Sequence, residues 1–173
     1  MQRESKLSNM GIEKSSRHQY IIGKFGEYLL VNWLSRTGFE VSLVDHTGFD
    51  VVAYNPKTER RIGITVKSRT RNIGKETTNV NLLSYRKDKT DRQKLLEACQ
   101  TFACEPWVAI YVETEKYANL YLTSLENYDK NYAGKEGRTI DTWSMTPRYL
   151  SLYKNDKEVK CIRAEFNQEG WIW

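Results

Sequence analysis

The chain has 173 residues, 39% hydrophobic and 28% charged, with a formal net charge of +5 and a pI near 9.0. That is the size and balance of one globular domain with its own core, not of a disordered chain, and the mild basicity permits a polyanionic partner without requiring one. No apolar run is long enough to span a membrane, residues 1–17 lack the apolar stretch of a signal peptide, and Cys99, Cys104 and Cys161 show no C-x-x-C spacing, which argues against a disulfide framework or zinc site and for a reducing cytoplasm.

In chain order, residues 1–16 read as a loose arm or frayed helix. Residues 17–36 carry a helical pattern through Ile22, Phe25, Leu29, Leu30, Trp33 and Leu34, which Gly38 ends. Strands are expected at 39–44, 49–54 and 61–68, with the turn residues Asn55-Pro56-Lys57-Thr58-Glu59 between the last two. Residues 69–89 are polar and basic, with no clear period. Thr90-Asp91-Arg92-Gln93 fits a capping box that opens a second helix to about residue 102. Residues 107–113 and 117–123 read as a hairpin. The remainder holds Trp143, strand-like stretches at 148–153 and 159–166, and an Asn155-Asp156 turn.

These elements predict one domain over residues 1–173: a core at 17–113 and a β-rich extension at 114–173. The crossover through the second helix makes the fourth strand parallel to a neighbour, so the class is α/β, a mixed central sheet flanked by helices.

The hairpin of the second and third strands has a readable register. An even loop centred between Lys57 and Thr58 pairs Phe49 with Val66, Val51 with Ile64 and Ala53 with Ile62, all apolar and on one face. A one-residue slip would set apolar against polar throughout. The other face then pairs Asp50 with Thr65 and Gly48 with Lys67. Asp50, Thr65 and Lys67 come within reach of one small ligand, with Gly48 leaving space beside Lys67.

On the first helix, Gly23, Glu27, Leu30 and Leu34 lie near one stripe. Gly costs about 1 kcal/mol relative to Ala inside a helix, so Gly23 and Gly26 in one turn point to close packing. Glu27 either lies partly buried, where it needs a partner such as a metal or Lys67, or faces solvent on the helix edge.

With Gly26-Glu27, Gly48-Phe49-Asp50 and Ile64-Thr65-Val66-Lys67-Ser68 in place, the chain resembles the PD-(D/E)XK nuclease superfamily, the restriction-endonuclease-like fold, near its Holliday-junction resolvase and type IV restriction branches. The match covers residues 17–113 and their αβββαβ order. The resemblance implies phosphodiester hydrolysis on DNA. Asp50, the Val66 carbonyl and Glu27 would hold Mg²⁺ or Mn²⁺, and Lys67 would orient the attacking water and steady charge on the phosphate. Thr65 stands where the family usually has Glu, sometimes Gln. It is a neutral, weak ligand, so the acid is either relocated to Glu27, or to Asp45 if the first strand ends beside the site, or lost. The readings are therefore a metal-dependent DNA endonuclease, working in many such cases as a homodimer, or a non-cutting nucleic-acid-binding module or assembly protein.

Arg69, Arg71 and Lys75 follow the site directly, and Arg86 and Lys87 belong to a second basic cluster. Such residues contact phosphates without reading sequence, although charge runs are more often solvated surface. His46 reads as a turn histidine and His18 as a residue at the helix start. The aromatic C-terminal part (Tyr149, Tyr153, Phe166, Trp171, Trp173) is read first as core packing, then as a contact or stacking surface.

Overall fold

The computed structural model describes residues 12–85, 90–135 and 138–167. The elements are α1 (His18–Arg36), β1 (Glu40–Leu43), β2 (Val51–Asn55), β3 (Arg60–Thr70), β4 (Val80–Ser84), α2 (Asp91–Thr101), β5 (Glu105–Glu113), β6 (Tyr117–Ser124), α3 (Leu125–Asn131), β7 (Ile140–Trp143), α4 (Pro147–Asn155) and β8 (Lys160–Glu165). Six strands form a mixed sheet in the order β1-β2-β3-β5-β6-β8, and β4 pairs with β7 separately. β1, β2 and β3 form an antiparallel meander, and β5 joins β3 in parallel after the crossover through α2. β6 returns antiparallel to β5, and β8 closes that edge. Among the described residues no helix is long and apolar enough to cross a membrane.

Both sheet faces are covered, which explains the nearly continuous apolar run of β5. Trp107, Ala109 and Tyr111 pack towards α1 with Ile22, Leu30 and Leu34; Val108, Ile110 and Val112 pack towards α2, β4, β7, α3 and α4. Thr37 and Gly38, the latter at φ +89°, end α1. Thr90 caps α2 as expected, its hydroxyl accepting the Gln93 N–H at 3.1 Å.

The hairpin register holds at Val51↔Ile64 and Ala53↔Ile62, but the ladder stops there. Phe49 does not join Val51 opposite Val66. It packs on the α2 face against Gly63, His46 and Phe102. Gly48 does not extend the ladder opposite Lys67 either. It lies against α2, where a Cβ would stand 2.5 Å from the Lys94 carbonyl oxygen and closer still to Ala98. The chain bends at Asp50.

The extension has its expected strands at 117–123 and 159–166, as β6 and β8, but not at 148–153. Residues 148–153 are helical within α4, because Thr146 and Pro147 start a helix at the N-cap and N1 positions and direct Tyr149, Leu150 and Tyr153 to the core at helical spacing. α3 follows Ser124, whose hydroxyl accepts the Asn127 N–H at 3.0 Å. Trp143 of β7 stacks on Tyr153 at 3.9 Å between centroids, inside a cluster with Tyr121, Tyr128 and Tyr132. Those aromatics are core, while Trp171 and Trp173 lie outside the described residues. β3 runs on to Thr70 and β4 takes Val80–Ser84, ordering much of the stretch that has no sequence period.

The two helix glycines differ. Gly26 sits over Ser68 and Tyr111, with a Cβ only 3.2 Å from that of Tyr111, whereas nothing lies within 4 Å of a Cβ on Gly23. Gly23→Ala should therefore raise stability by about 1 kcal/mol, and Gly48→Ala should lower it by about 1–3 kcal/mol through overpacking. Urea unfolding of the two variants beside the parent chain checks both signs.

Candidate active site at the end of the β2–β3 ladder

The bend originates in one side chain. The Asp50 N–H still donates to the Ile64 carbonyl at 2.8 Å, and the Asp50 carbonyl accepts the Val44 N–H at 3.0 Å. On the next rung a carboxylate replaces the main chain: Asp50 Oδ2 accepts the Val66 N–H at 2.6 Å and, at a longer 3.3 Å, the Thr65 hydroxyl. A charge-assisted bond of this kind is roughly twice as strong as a neutral one. It frees residues 45–49 from pairing and lets Gly48 and Phe49 turn to α2.

The expected proximity of Asp50 and Thr65 is therefore present, as a side chain bonded across the end of the ladder. Lys67 lies two residues further along β3. Strand alternation puts it on the Thr65 side, towards α2, whereas Ser68 and Thr70 face α1.

On α2, Asp91 supplies an acid that the sequence pattern did not single out. Its carboxylate accepts the Ser84 hydroxyl at 2.9 Å and the Ser84 N–H at 3.3 Å. Burial pushes its pKa up, but the Ser84 bonds and the charges of Lys67 and Lys94 outweigh this and hold it below the ordinary carboxylate value. Lys67 thus works in the field of an anion from the second helix. The only signal in the sequence was a capping box, which names Asp91 as a helix starter and not as a neighbour of Lys67.

The first turn of α2 is anchored from behind. Asp141, fully buried on β7, accepts Arg92 Nη1 at 3.0 Å, Arg138 Nε at 2.7 Å and the Tyr85 hydroxyl at 3.1 Å. Arg92 also pairs with Asp129 on α3.

Glu27 has a mostly buried side chain, and its partner is Lys24, one turn earlier at 2.8 Å, not Lys67. The bond and charge of Glu27, with a smaller contribution from Asp50, raise the Lys24 pKa. An ammonium therefore already stands in the field of both carboxylates. Asp50, Glu27, the Thr65 hydroxyl and the Val66 carbonyl offer oxygen atoms, the donor type that suits a hard dication. Among the described residues no group of three or more His, Cys, Asp or Glu side chains could share a metal ion. Asp45, just beyond the Val44 bond to Asp50, is exposed, and His46 accepts the Gly48 N–H at 3.1 Å as a turn histidine.

Of the basic residues, Arg69 and Arg71 flank Thr70 at the end of β3, and Lys75 is exposed in the turn beyond. Arg86 and Lys87 lie outside the described residues. An apolar cavity of about 440 Å³ on the α1 side, lined by Trp33, Phe39, Ile62, Trp107 and Leu122 among others, takes in none of the predicted site residues.

The architecture matches a solved structure. Over 75% of this chain and 88% of the other, at 18% identity and a TM-score of 0.51, it is similar to Hjc, a Holliday junction resolvase from the archaeal hyperthermophile Archaeoglobus fulgidus. The chain thus has the restriction-endonuclease-like fold of that nuclease. No family model and no curated protein matches the sequence.

Two outcomes test the site. Thr65→Glu places a second buried carboxylate against Asp50, so it should lower thermal stability without a divalent cation and recover it in Mn²⁺, with tighter Mn²⁺ binding by calorimetry. Because the Asp91 pKa is depressed on folding, its stabilisation is present above its unfolded pKa of about 3.9 and is lost as pH falls through its folded value. Asp91→Asn should therefore lose less stability than the parent on acidification below about pH 4, read from thermal unfolding midpoints.

Proposed function

We propose that this chain is a divalent-metal-dependent nuclease that hydrolyses phosphodiester bonds in DNA, with Asp50, Glu27 and Lys67 as its working residues. The observation that carries the reading is the Asp50 carboxylate, fixed by the Val66 N–H and the Thr65 hydroxyl at the end of a ladder whose third strand bears Lys67 two residues on. The fold it shares with a Holliday junction resolvase supports the same reaction class.

In this reading Asp50, Glu27 and the Val66 carbonyl hold Mg²⁺ or Mn²⁺, with Thr65 as a weak neutral neighbour. When bound, the cation polarises the phosphate and acidifies water. The chain supplies the rest. Asp50 cannot swing away, because its Oδ2 is committed to the Val66 N–H, and this presets the geometry that the ligand meets. Lys67 steadies charge on the phosphate and orients the attacking water. Asp91 adds the field of a nearby anion to that lysine. Glu27 exchanges its Lys24 partner, which is half exposed, for the stronger cation. Arg69 and Arg71 hold the DNA backbone by charge, independent of sequence.

A second reading is favoured by Thr65. With a hydroxyl in place of a carboxylate, the fold and basic surface would serve as a nucleic-acid-binding module that does not cut. Plasmid, single-stranded and branched DNA, incubated with the protein in Mg²⁺ and in Mn²⁺, decide between them. Cleavage that Lys67→Ala abolishes while its thermal stability stays near that of the parent supports the nuclease. Binding to DNA without cleavage supports the module, and neither binding nor cleavage of any of these substrates defeats both.

A further inference from the structure

Across the sheet from Lys67, a cavity of about 340 Å³ opens between the start of α1 and the end of β3. It is lined by Lys14, Ser15, Ser16, His18, Gln19, Ile22, Ser68, Arg69, Thr70 and Arg71, with no carboxylate among them.

Its wall is built rather than incidental. Lys14 Nζ donates to the Thr70 carbonyl at 2.9 Å, and the Thr70 hydroxyl donates to Glu113 at 2.8 Å. With its proton given to Glu113, the Thr70 oxygen accepts from His18 Nε2 at 2.6 Å, which fixes the protonated nitrogen of that ring. Arg71 Nη2 donates to the Thr78 and Asn79 carbonyls, and Arg69 Nη1 to the Ser68 carbonyl.

Against this satisfied frame stand two deficits. Ser68 is only 7% exposed, and its Oγ has no partner; Nε of Arg71 is likewise buried without one. Among the described residues, neither Arg69 nor Arg71 forms an ion pair with a carboxylate. Burial, then the charge of Arg69, lowers the Arg71 pKa. Ser68 Oγ and Arg71 Nε are both enclosed by protein, so what the cavity itself offers is a wall of formal positive charge from Lys14, Arg69 and Arg71. Its complement is an anion that only accepts hydrogen bonds. At the start of α1 no side chain caps the helix and no acid stands in the first turn.

We infer that this cavity is a phosphate-binding pocket, separate from the Asp50–Lys67 site, in which Lys14, Arg69 and Arg71 hold one phosphoryl group. Resting on the proposed nuclease reading, the source of that group is the backbone of the bound nucleic acid. Lys67 and Thr70 are three residues apart on β3, about 10 Å at strand rise, so one strand can reach both sites around the end of β3. The pocket would anchor the substrate backbone while the other site acts on it.

The test uses the full chain, the Lys67→Ala variant and a Lys14→Gln/Arg69→Gln double variant. Arg71 is left in place because its main-chain bonds hold the loop after β3. Thermal unfolding is followed in rising inorganic phosphate, against sodium chloride at matched ionic strength. The pocket predicts that phosphate raises the midpoint of the parent and of Lys67→Ala alike, and that the double variant loses this rise. The inference is overturned if phosphate does no more than chloride, if Lys67→Ala loses the effect, or if the double variant keeps it. In a second arm, duplex DNA binding is measured over a range of salt. The double variant's log–log salt slope should be shallower by about 0.9 for every DNA phosphate that it no longer neutralises. Phosphate stabilisation without any DNA binding would keep the pocket, assign it to free phosphate or a small phosphorylated molecule, and defeat the nucleic-acid reading.

Discussion

The hydrogen bond from the Val66 amide to the Asp50 carboxylate sets the geometry around it. An antiparallel ladder normally continues by pairing main chain with main chain. Here a side-chain oxygen takes the amide at 2.6 Å, so the strand before Asp50 no longer has to run alongside β3. Residues 45–49 leave the sheet, Phe49 crosses to the α2 face, and Gly48 settles on the Lys94 carbonyl. The docking of α2, and with it the approach of Asp91 to Lys67, follows from that departure. An unpaired buried amide costs about 1–3 kcal/mol, so the carboxylate is as much part of the fold as of the site.

Charge is handled in opposite ways on the two sides of the sheet. On the α2 side, fully buried Asp141 gathers Arg92, Arg138 and Tyr85, and the cations there are closely matched by acceptors. Removing one partner from such a network leaves an uncompensated charge, at a cost of about 3–5 kcal/mol. On the α1 side, a cavity lined in part by Arg69 and Arg71 holds no carboxylate in its lining, and the nearby Glu113 is taken up by Thr70 and Tyr111. The first arrangement immobilises a helix start. The second leaves positive charge to be met from outside the molecule.

Much of this was legible in the sequence, within limits that have physical causes. Strict alternation gave the pairs Val51–Ile64 and Ala53–Ile62, because a period of two admits only one register with a buried face. The same rule failed at Phe49, since alternation assumes a continuous ladder and cannot foresee a carboxylate replacing a carbonyl. Local chemistry was readable where it stays local, as with Thr90 capping α2. It was overlooked at Thr146-Pro147, where an aromatic, β-prone run masked a helix start. The Lys24–Glu27 pair was within reach of a helical-spacing argument. The meeting of Asp91 with Lys67 was not, because it depends on how α2 lands after a crossover.

The double duty of Asp50 bears on what its presence means. A residue that closes a ladder stays under pressure to remain even after any chemistry is gone, since replacing it loosens the strand end, the loop behind it and the seat of α2 together. A descendant that stopped cutting could keep Asp50 indefinitely for mechanical reasons. Among the described residues Lys67 closes no such ladder, and the position next to Val66 carries the neutral side chain of Thr65. On the proposed nuclease reading, activity is therefore better judged from the lysine than from the aspartate that first draws the eye.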